Sequence, residues 1–206
     1  IRIGPLVTCN AFRYPSLLAK MAATVDMISN GRLNFGIGAG WHEAEAAAYG
    51  IPFPKGGVRV EMVDEALTII KKLWTEDEAT FKGKHYSINK AVCIPKPFQK
   101  PHPPILVGGG GDKMLRLIAR HANAWNSGFT SPEDFKAETA RLEKACKEVG
   151  RDINAIESTF QSRIVIAEND EDARRRAELW REERKGTPDD PDWKFAVKGS
   201  PKTCAD

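Results

Sequence analysis

Two stretches of this chain carry residues whose types and spacing could do chemistry. In the first, the apolar run Pro104-Ile105-Leu106-Val107 meets four glycines, Gly108, Gly109, Gly110 and Gly111, and then a helical pattern with Met114, Leu117, Ile118 and His121 at helical spacing. Glycines at a strand-to-helix turn let backbone N–H groups approach a ligand closely, and the helix start adds partial positive charge. That combination suits a phosphate. The competing reading is a tight turn with no ligand, although a turn needs one or two glycines rather than four. In the second stretch, Trp41, His42, Glu43 and Glu45 follow a glycine-rich strand end. An imidazole beside two carboxylates could do general acid–base work. Equally, Glu43 could sit at a helix start because carboxylates favour the positive dipole end, with Trp41 simply packing.

Other groups are less specific. Gly36-x-Gly38-x-Gly40 departs from the G-x-G-x-x-G dinucleotide fingerprint, since Trp41-His42-Glu43 follows. These glycines read instead as flattening a strand end where a planar ring passes. Thr8-Cys9-Asn10 with Phe12-Arg13-Tyr14 mixes polar and aromatic groups. Arg13 could bind a ligand anion or anchor a scaffold carboxylate. Asn126-Ser127-Gly128 could add donors to a ligand. His85 and His102 have no second ligand at metal spacing and read as structural or exposed; no metal site is expected.

The elements that must position these residues alternate regularly. Ile1 to Thr8 reads as a strand. Pro15 to Ser29 reads as a helix whose apolar face is Leu17, Leu18, Met21, Ala22, Val25 and Ile28. Leu33–Ile37 is a second strand, followed by short (Glu43–Tyr49) and long (Val58–Trp74) helices. Residues 76–103 form an excursion with a small hairpin around Lys82-Gly83 and a proline-rich connection. Ile105–Val107 and Ala124–Asn126 are further strands. Ser131 opens a helix by a capping box, Thr159–Ala167 is a fifth strand, and Asn169 caps a helix to about Glu183. The tail from Gly186 reads as loop. Such alternation means a parallel sheet with helical crossovers, either open and doubly wound or a (β/α)8 barrel. In both, functional loops sit at the carboxyl ends of the strands. That picks out Thr8–Arg13, Gly38–Glu45, Gly108–Lys113 and 126–130.

Composition narrows the class. The 206 residues are 41% hydrophobic and 29% charged with net charge +3, which fits a globular protein and no nucleic-acid stripe. The basic run Arg174-Arg175-Arg176 lies among acids and reads as a solvated helix face. The 4 cysteines (Cys9, Cys93, Cys146, Cys204) are scattered without a C-x-x-C pair, as in a reducing compartment. No apolar run approaches a membrane span, and no signal peptide is evident. A cytoplasmic location is therefore expected. The chain opens in a strand-like run and closes at what reads as the start of a helix, so both ends look cut from something longer.

The chain resembles the luciferase-like flavin/deazaflavin oxidoreductases, most closely the coenzyme F420-dependent branch. The matching segments are 13–20, 22–33, Gly36–Trp41, Tyr49–Pro54, Lys96–Ile105 and Gly150-Arg151-Asp152. The resemblance implies a TIM (β/α)8 barrel, incomplete here: strands 3 to 7 present, strands 1, 2 and 8 missing, and one partial barrel domain over residues 1–206. It implies a cofactor at the strand ends, F420 or alternatively FMN, and a small-molecule substrate. It also implies homo-oligomers of the full-length protein. Leu6 and Val7, joined by a non-proline cis peptide, would support the ring together with Thr8. Gly38, Gly40 and Trp41 would line the pocket, and Gly108 to Asp112 would hold the phosphate. Some F420-dependent relatives carry an acid directly after the fourth-strand glycines; Trp41 stands there, so that role does not transfer to Glu43 or Glu45. The implied activity is hydride transfer between F420 and an organic substrate. The alternatives are an FMN-dependent monooxygenase or reductase, or an inactive fragment keeping part of the cofactor site.

Overall fold

Runs of four apolar or small residues are what a parallel strand covered on both faces looks like in sequence. Phe35–Gly38, buried throughout, forms such a strand. The computed structural model describes residues 1–187 and 189–205. Its contacts divide the chain into two compact units, Ile1–Trp125 with Arg141–Ser158, and Asn126–Ala140 with Thr159–Asp206.

The elements begin with β1 (Thr8–Cys9), α1 (Pro15–Ile28), β2 (Phe35–Gly38), α2 (Glu43–Ala48) and α3 (Gly56–Thr75). The hairpin β3 (Ala79–Lys82) and β4 (Ser87–Ala91) follows, then β5 (Ile105–Gly108) and α4 (Asp112–His121). Next come β6 (Ala124–Gly128), α5 (Pro132–Glu148) and β7 (Glu157–Gln161). The remainder is β8 (Ile164–Ile166), α6 (Asp170–Glu183), α7 (Pro191–Lys194), β9 (Val197–Gly199) and α8 (Pro201–Ala205). The main sheet has the order β1-β2-β5-β6-β7. In the first unit β1 pairs with β2 in parallel (Cys9 opposite Gly38), and β2 with β5 (Ile37 opposite Val107). The strand ends after Cys9, Gly38 and Gly108 therefore lie side by side on one edge, as the alternation predicts.

The core of this unit lies between the sheet and its helices. Phe35, Ile37, Ile105 and Val107 are buried, together with Leu67, Ile70, Leu73 and Trp74 of α3 and Leu115, Leu117 and Ile118 of α4. Trp74 stands edge-on to Phe35 at 5.1 Å, and its Nε1–H donates to the Ala19 carbonyl at 2.9 Å. A buried indole thus keeps its polar handle satisfied.

Four sequence expectations change. First, α1 does not bury the large apolar face: Leu18, Ala19, Ala22 and Ala23 turn inward, while Leu17, Met21, Val25 and Ile28 are exposed. The inward stripe is set by Asp26, which is fully buried because its carboxylate accepts from Gln99 N at 2.9 Å and Gln99 Nε2 at 2.7 Å. Second, of the expected strand Ile1–Thr8 only an isolated parallel bridge, Ile3 with Leu33, precedes β1, since Pro5 has no N–H to give a ladder. Third, the expected strand Thr159–Ala167 breaks into β7 and β8 at Ser162, whose Oγ donates to the Phe195 carbonyl at 2.8 Å. Fourth, the tail holds α7, β9 and α8, with β9 pairing parallel to β8 (Val165 opposite Lys198); Pro188 of that expected loop lies outside the described residues.

The hairpin falls where the sequence places it. Glu65 of α3 ties its turn down by accepting from Lys84 N at 2.8 Å and from His85 N and Tyr86 N at 2.9 Å. Burial pushes the Glu65 carboxyl up, but those backbone donors together hold it below its ordinary value. His85 is structural: its Nε2 lies 3.2 Å from Glu61 Oε2. Among the described residues no helix is long and apolar enough to cross a membrane.

Candidate functional site

Three strand-end loops of the first unit define the candidate site. The first comes off β1. Val7 is half-buried, Leu6 is exposed, and the Leu6–Val7 peptide bond is cis, where the resemblance places one. Val7 explains the neighbouring glycines. A Cβ at Gly38 would lie 2.8 Å from Val7 Cγ2, and one at Gly108 3.2 Å from the same methyl. A Cβ at Gly36 would overlap the Pro5 carbonyl and meet Val7 Cγ1 at 3.2 Å. The space expected for a planar ring over Gly36 and Gly38 is, on this side, filled by a valine. Thr8 Oγ1 accepts from Arg13 Nη1 at 3.3 Å, so Arg13 braces the loop through a hydroxyl rather than a carboxylate.

Asn10, next in line, is only 2% exposed. Its Nδ2 donates to the Tyr86 hydroxyl at 3.1 Å, and its Oδ1 is buried with no hydrogen-bond partner among the described residues. A buried carbonyl oxygen without a donor is costly and fits a ligand N–H or O–H. Burial pushes the Tyr86 hydroxyl up, so it stays protonated and able to donate. Tyr14 packs edge-on against Tyr86 at 5.3 Å and donates through its hydroxyl to the Ser87 carbonyl at 3.0 Å. The hairpin is thereby docked on the first loop.

The second loop follows β2. Gly40 has φ +80, and a Cβ there would overlap Cys9 Sγ and meet Phe53 Cε2 at 3.1 Å, so only glycine fits. Arg59 of α3 clamps this turn. Its Nε donates to Ala39 O at 3.1 Å, Nη2 to Gly40 O at 3.2 Å and Nη1 to Pro54 O at 2.6 Å, and the guanidinium lies 3.9 Å over the Phe53 ring. Trp41 is 84% exposed and stands edge-on to His42 at 4.9 Å. His42 caps α2: its Nδ1 accepts from Glu45 N at 3.0 Å. A ring nitrogen that accepts carries no proton, so the N–H sits on Nε2. Glu43 and Glu45 are exposed in the first turn of α2. The three groups thus share a helix start and do not converge as an acid–base cluster.

The third loop follows β5. Gly109 has φ +124, and Trp125, fully buried, donates its Nε1–H to the Gly109 carbonyl at 2.8 Å. Gly111 is the N-cap of α4, with no side-chain cap hydrogen bond and nothing within 4 Å of where a Cβ would stand. The first amides of a helix have no intrahelical partner. Among the described residues no side-chain hydrogen bond caps them, and Asp112 is turned to Arg141 at 3.0 Å. An open, uncapped helix start is what an anion needs. This loop therefore fits the phosphate of a flavin or deazaflavin, and Asn10 Oδ1 fits a polar edge of such a group.

In the second unit, Asn126 and Ser127 are buried, with Asn126 Nδ2 donating to Thr159 Oγ1 at 2.9 Å and Ser127 Oγ to Glu138 Oε2 at 2.8 Å. Sequence reasoning missed Arg59, Tyr86 and the burial of Asn10 against Tyr86. Arg59 and Tyr86 lie 19 and 76 residues from their partners Gly40 and Asn10, and no local pattern signals such pairs.

A family profile for luciferase-like monooxygenases matches residues 1–206. Among curated relatives, an uncharacterised protein of Mycobacterium tuberculosis is 38% identical over 135 residues, 65% of this chain and 45% of the relative. An F420-dependent glucose-6-phosphate dehydrogenase of Amycolatopsis mediterranei is 28% identical over 187 residues, 87% of this chain and 54% of its own length. An FMNH(2)-dependent dimethylsulfone monooxygenase of Pseudomonas putida is 28% identical over 160 residues, 78% of this chain and 43% of its own length. The chain spans about half the length of the curated relatives it matches. The solved coenzyme F420-dependent tetrahydromethanopterin reductase of Methanopyrus kandleri superposes with a TM-score of 0.82 at 21% identity, covering 99% of this chain and 72% of that one.

Proposed function

This chain belongs to the luciferase-like monooxygenase family, and on that premise we propose that it serves an oxidoreductase moving a hydride between coenzyme F420 and a small organic substrate. The uncapped α4 start behind β5, with Gly111 open and Asp112 drawn aside by Arg141, carries the reading. In it the chain supplies strands three to seven of an eight-stranded barrel. The bound cofactor supplies the redox chemistry. The residues of the chain bind and orient it. The amides of Gly110 to Asp112 hold the phosphate, Leu6, Val7 and Thr8 back the ring, and Asn10 Oδ1 accepts from its polar edge. Gly38, Gly40, Trp41 and the Nε2–H of His42 face the substrate side. Glu43 and Glu45 act there only through α2. F420 is put first on the sequence resemblance to the F420-dependent branch, with an F420-dependent relative aligned over 187 residues beside it.

The equal 28% identity to both relatives keeps FMN as the second reading. Titration of the purified chain with F420 and with FMN, followed by cofactor fluorescence, separates them. Saturable F420 binding that weakens at least tenfold in Gly110→Asp supports the proposal. FMN binding alone transfers the site to a flavin monooxygenase or reductase, and no binding of either marks a chain that keeps the fold without the cofactor.

A further inference from the structure

We propose that the second unit carries a separate binding site for a small polyanion, in the hollow between α6, α7 and β9. The cavity measures about 420 Å³, within the range of small-molecule sites, about 300–1,000 Å³. Arg174, Glu178 and Arg181 line it from α6. Their i, i+4, i+7 spacing puts them on one helix face. Trp193, 5% exposed, closes one wall. Lys198 enters from β9, where its cross-strand partner Val165 is buried. Registered partners share a sheet face, so a lysine stands where the pattern calls for an apolar residue.

The cations of this hollow form no close ion pair among the described residues. Lys198 Nζ donates to the Trp193 carbonyl at 2.8 Å, one of the three donors an ammonium holds. Among the described residues Arg174, Arg181 and Lys198 have no carboxylate within 4.0 Å, although α6 is rich in acids. Arg175 on the same helix behaves differently and pairs with Asp172 at 2.6 Å. Asp170, the acid whose carboxyl Arg174 helps hold down, is engaged elsewhere: it accepts from Ser200 N at 2.7 Å and Thr203 Oγ1 at 2.9 Å. Among the described lining residues three cations face the one carboxylate of Glu178, an excess of two positive charges in a concave site. Such a site concentrates field lines on an anion. The guanidinium forks suit the planar or tetrahedral oxyanions of a polycarboxylate or phosphate ester. The run read in sequence as one solvated face thus divides, with Arg175 paired and Arg174 left for a ligand.

Isothermal titration of the folded chain with inorganic pyrophosphate and with citrate at low ionic strength tests this. The expected result is saturable binding of one or both, weakened at least tenfold in the double variant Arg174→Gln/Arg181→Gln and still present in Gly110→Asp, where the α4 start is blocked to phosphate. The last arm separates this site from the α4 start, so the cofactor proposal and this one fail independently. Pyrophosphate alone marks a phosphate ester as the ligand class, and citrate alone a polycarboxylate. Glu178→Gln removes the opposing charge and should tighten binding two- to threefold, which keeps the test sharp if the double variant folds poorly. No saturable binding of either probe, or affinities that ignore Arg174, Arg181 and Glu178, would overturn the proposal.

Discussion

The loops after β2 and β5 share one sequence signature: an apolar strand, several glycines and a helix start. The structure finishes them in opposite ways. After β2 the turn is closed by its own surroundings: Gly40 is packed by Cys9 and Phe53, its carbonyl is held by Arg59, and α2 is capped by His42. After β5 the loop is pinned from behind by Trp125, but α4 begins with no side-chain cap and with open space at Gly111. Glycine count does not separate a ligand loop from a self-contained turn. What separates them is whether the amides at the helix start already have a partner.

The comparison can be broken from either side. The largest effect is expected from Arg59→Ala, which strips three carbonyls of a charged donor and should cost about 3 kcal/mol in chemical denaturation. A loss below about 1 kcal/mol would show that the β2 loop is not held this way. Gly38→Ala comes next. Its new methyl would press on Val7 and cost about 1–2 kcal/mol, and the second change Val7→Ala should restore much of that. Lack of rescue would mean that Val7 is not what demands the glycine.

Gly111→Asp sharpens the contrast most. It offers α4 the side-chain cap it lacks, at a φ of −61 that any residue adopts. Thermal stability should rise by a few tenths of a kcal/mol, while cofactor affinity falls at least tenfold. A variant that binds as well as the parent would remove the anion role from this helix start. The reciprocal change, His42→Ala, should cost about 1 kcal/mol or less, the size of one cap. His42→Asn should recover most of that stability, so any turnover still missing in the Asn variant belongs to the imidazole and not to the cap.

The smallest effect concerns pH, on the outer face of the same unit. His121 Nε2 lies 2.9 Å from Asp64 Oδ1, and Arg120 reaches the same oxygen at 3.1 Å. Burial lowers the His121 imidazole, and Lys71 and Arg120 add to this; together they outweigh the Asp64 bond, which raises it. The His121 hydrogen bond comes first in holding the Asp64 carboxyl below its ordinary value. A histidine with a depressed folded value contributes stability that is full above its unfolded value, near 6.5, and is lost as pH falls through the folded one. Melting temperature should therefore drop on going from pH 7.5 to 5.5, and the drop should shrink in His121→Gln. An unchanged pH dependence in that variant would clear His121 of the effect.

Much of this fold was legible in the residues. Pro15 starting α1, Asn169 accepting from Asp172 N, Ser131 accepting from Asp134 N, and the hairpin flanking Lys82-Gly83 all follow from local chemistry. So did the loops at the strand ends, because parallel pairing brings them to one edge. The α1 face was misread for a definite reason. Helical periodicity shows two adjacent stripes, and hydrophobicity favours the one with larger side chains. Asp26 selects the other by finding Gln99, 73 residues away. The capping role of His42 was not legible, because a cap and a base look alike until the Glu45 amide is located.

By itself the sequence determined the alternation of strands and helices, the glycines at their turns and the family resemblance, since these depend on residue type and short spacing. Only the tertiary structure decided which helix start stays uncapped, that Val7 fills the space over Gly38, and that Arg174 and Lys198 share one hollow. Those outcomes depend on donors, acceptors and volumes brought together from distant parts of the chain, and no local pattern encodes which partner arrives.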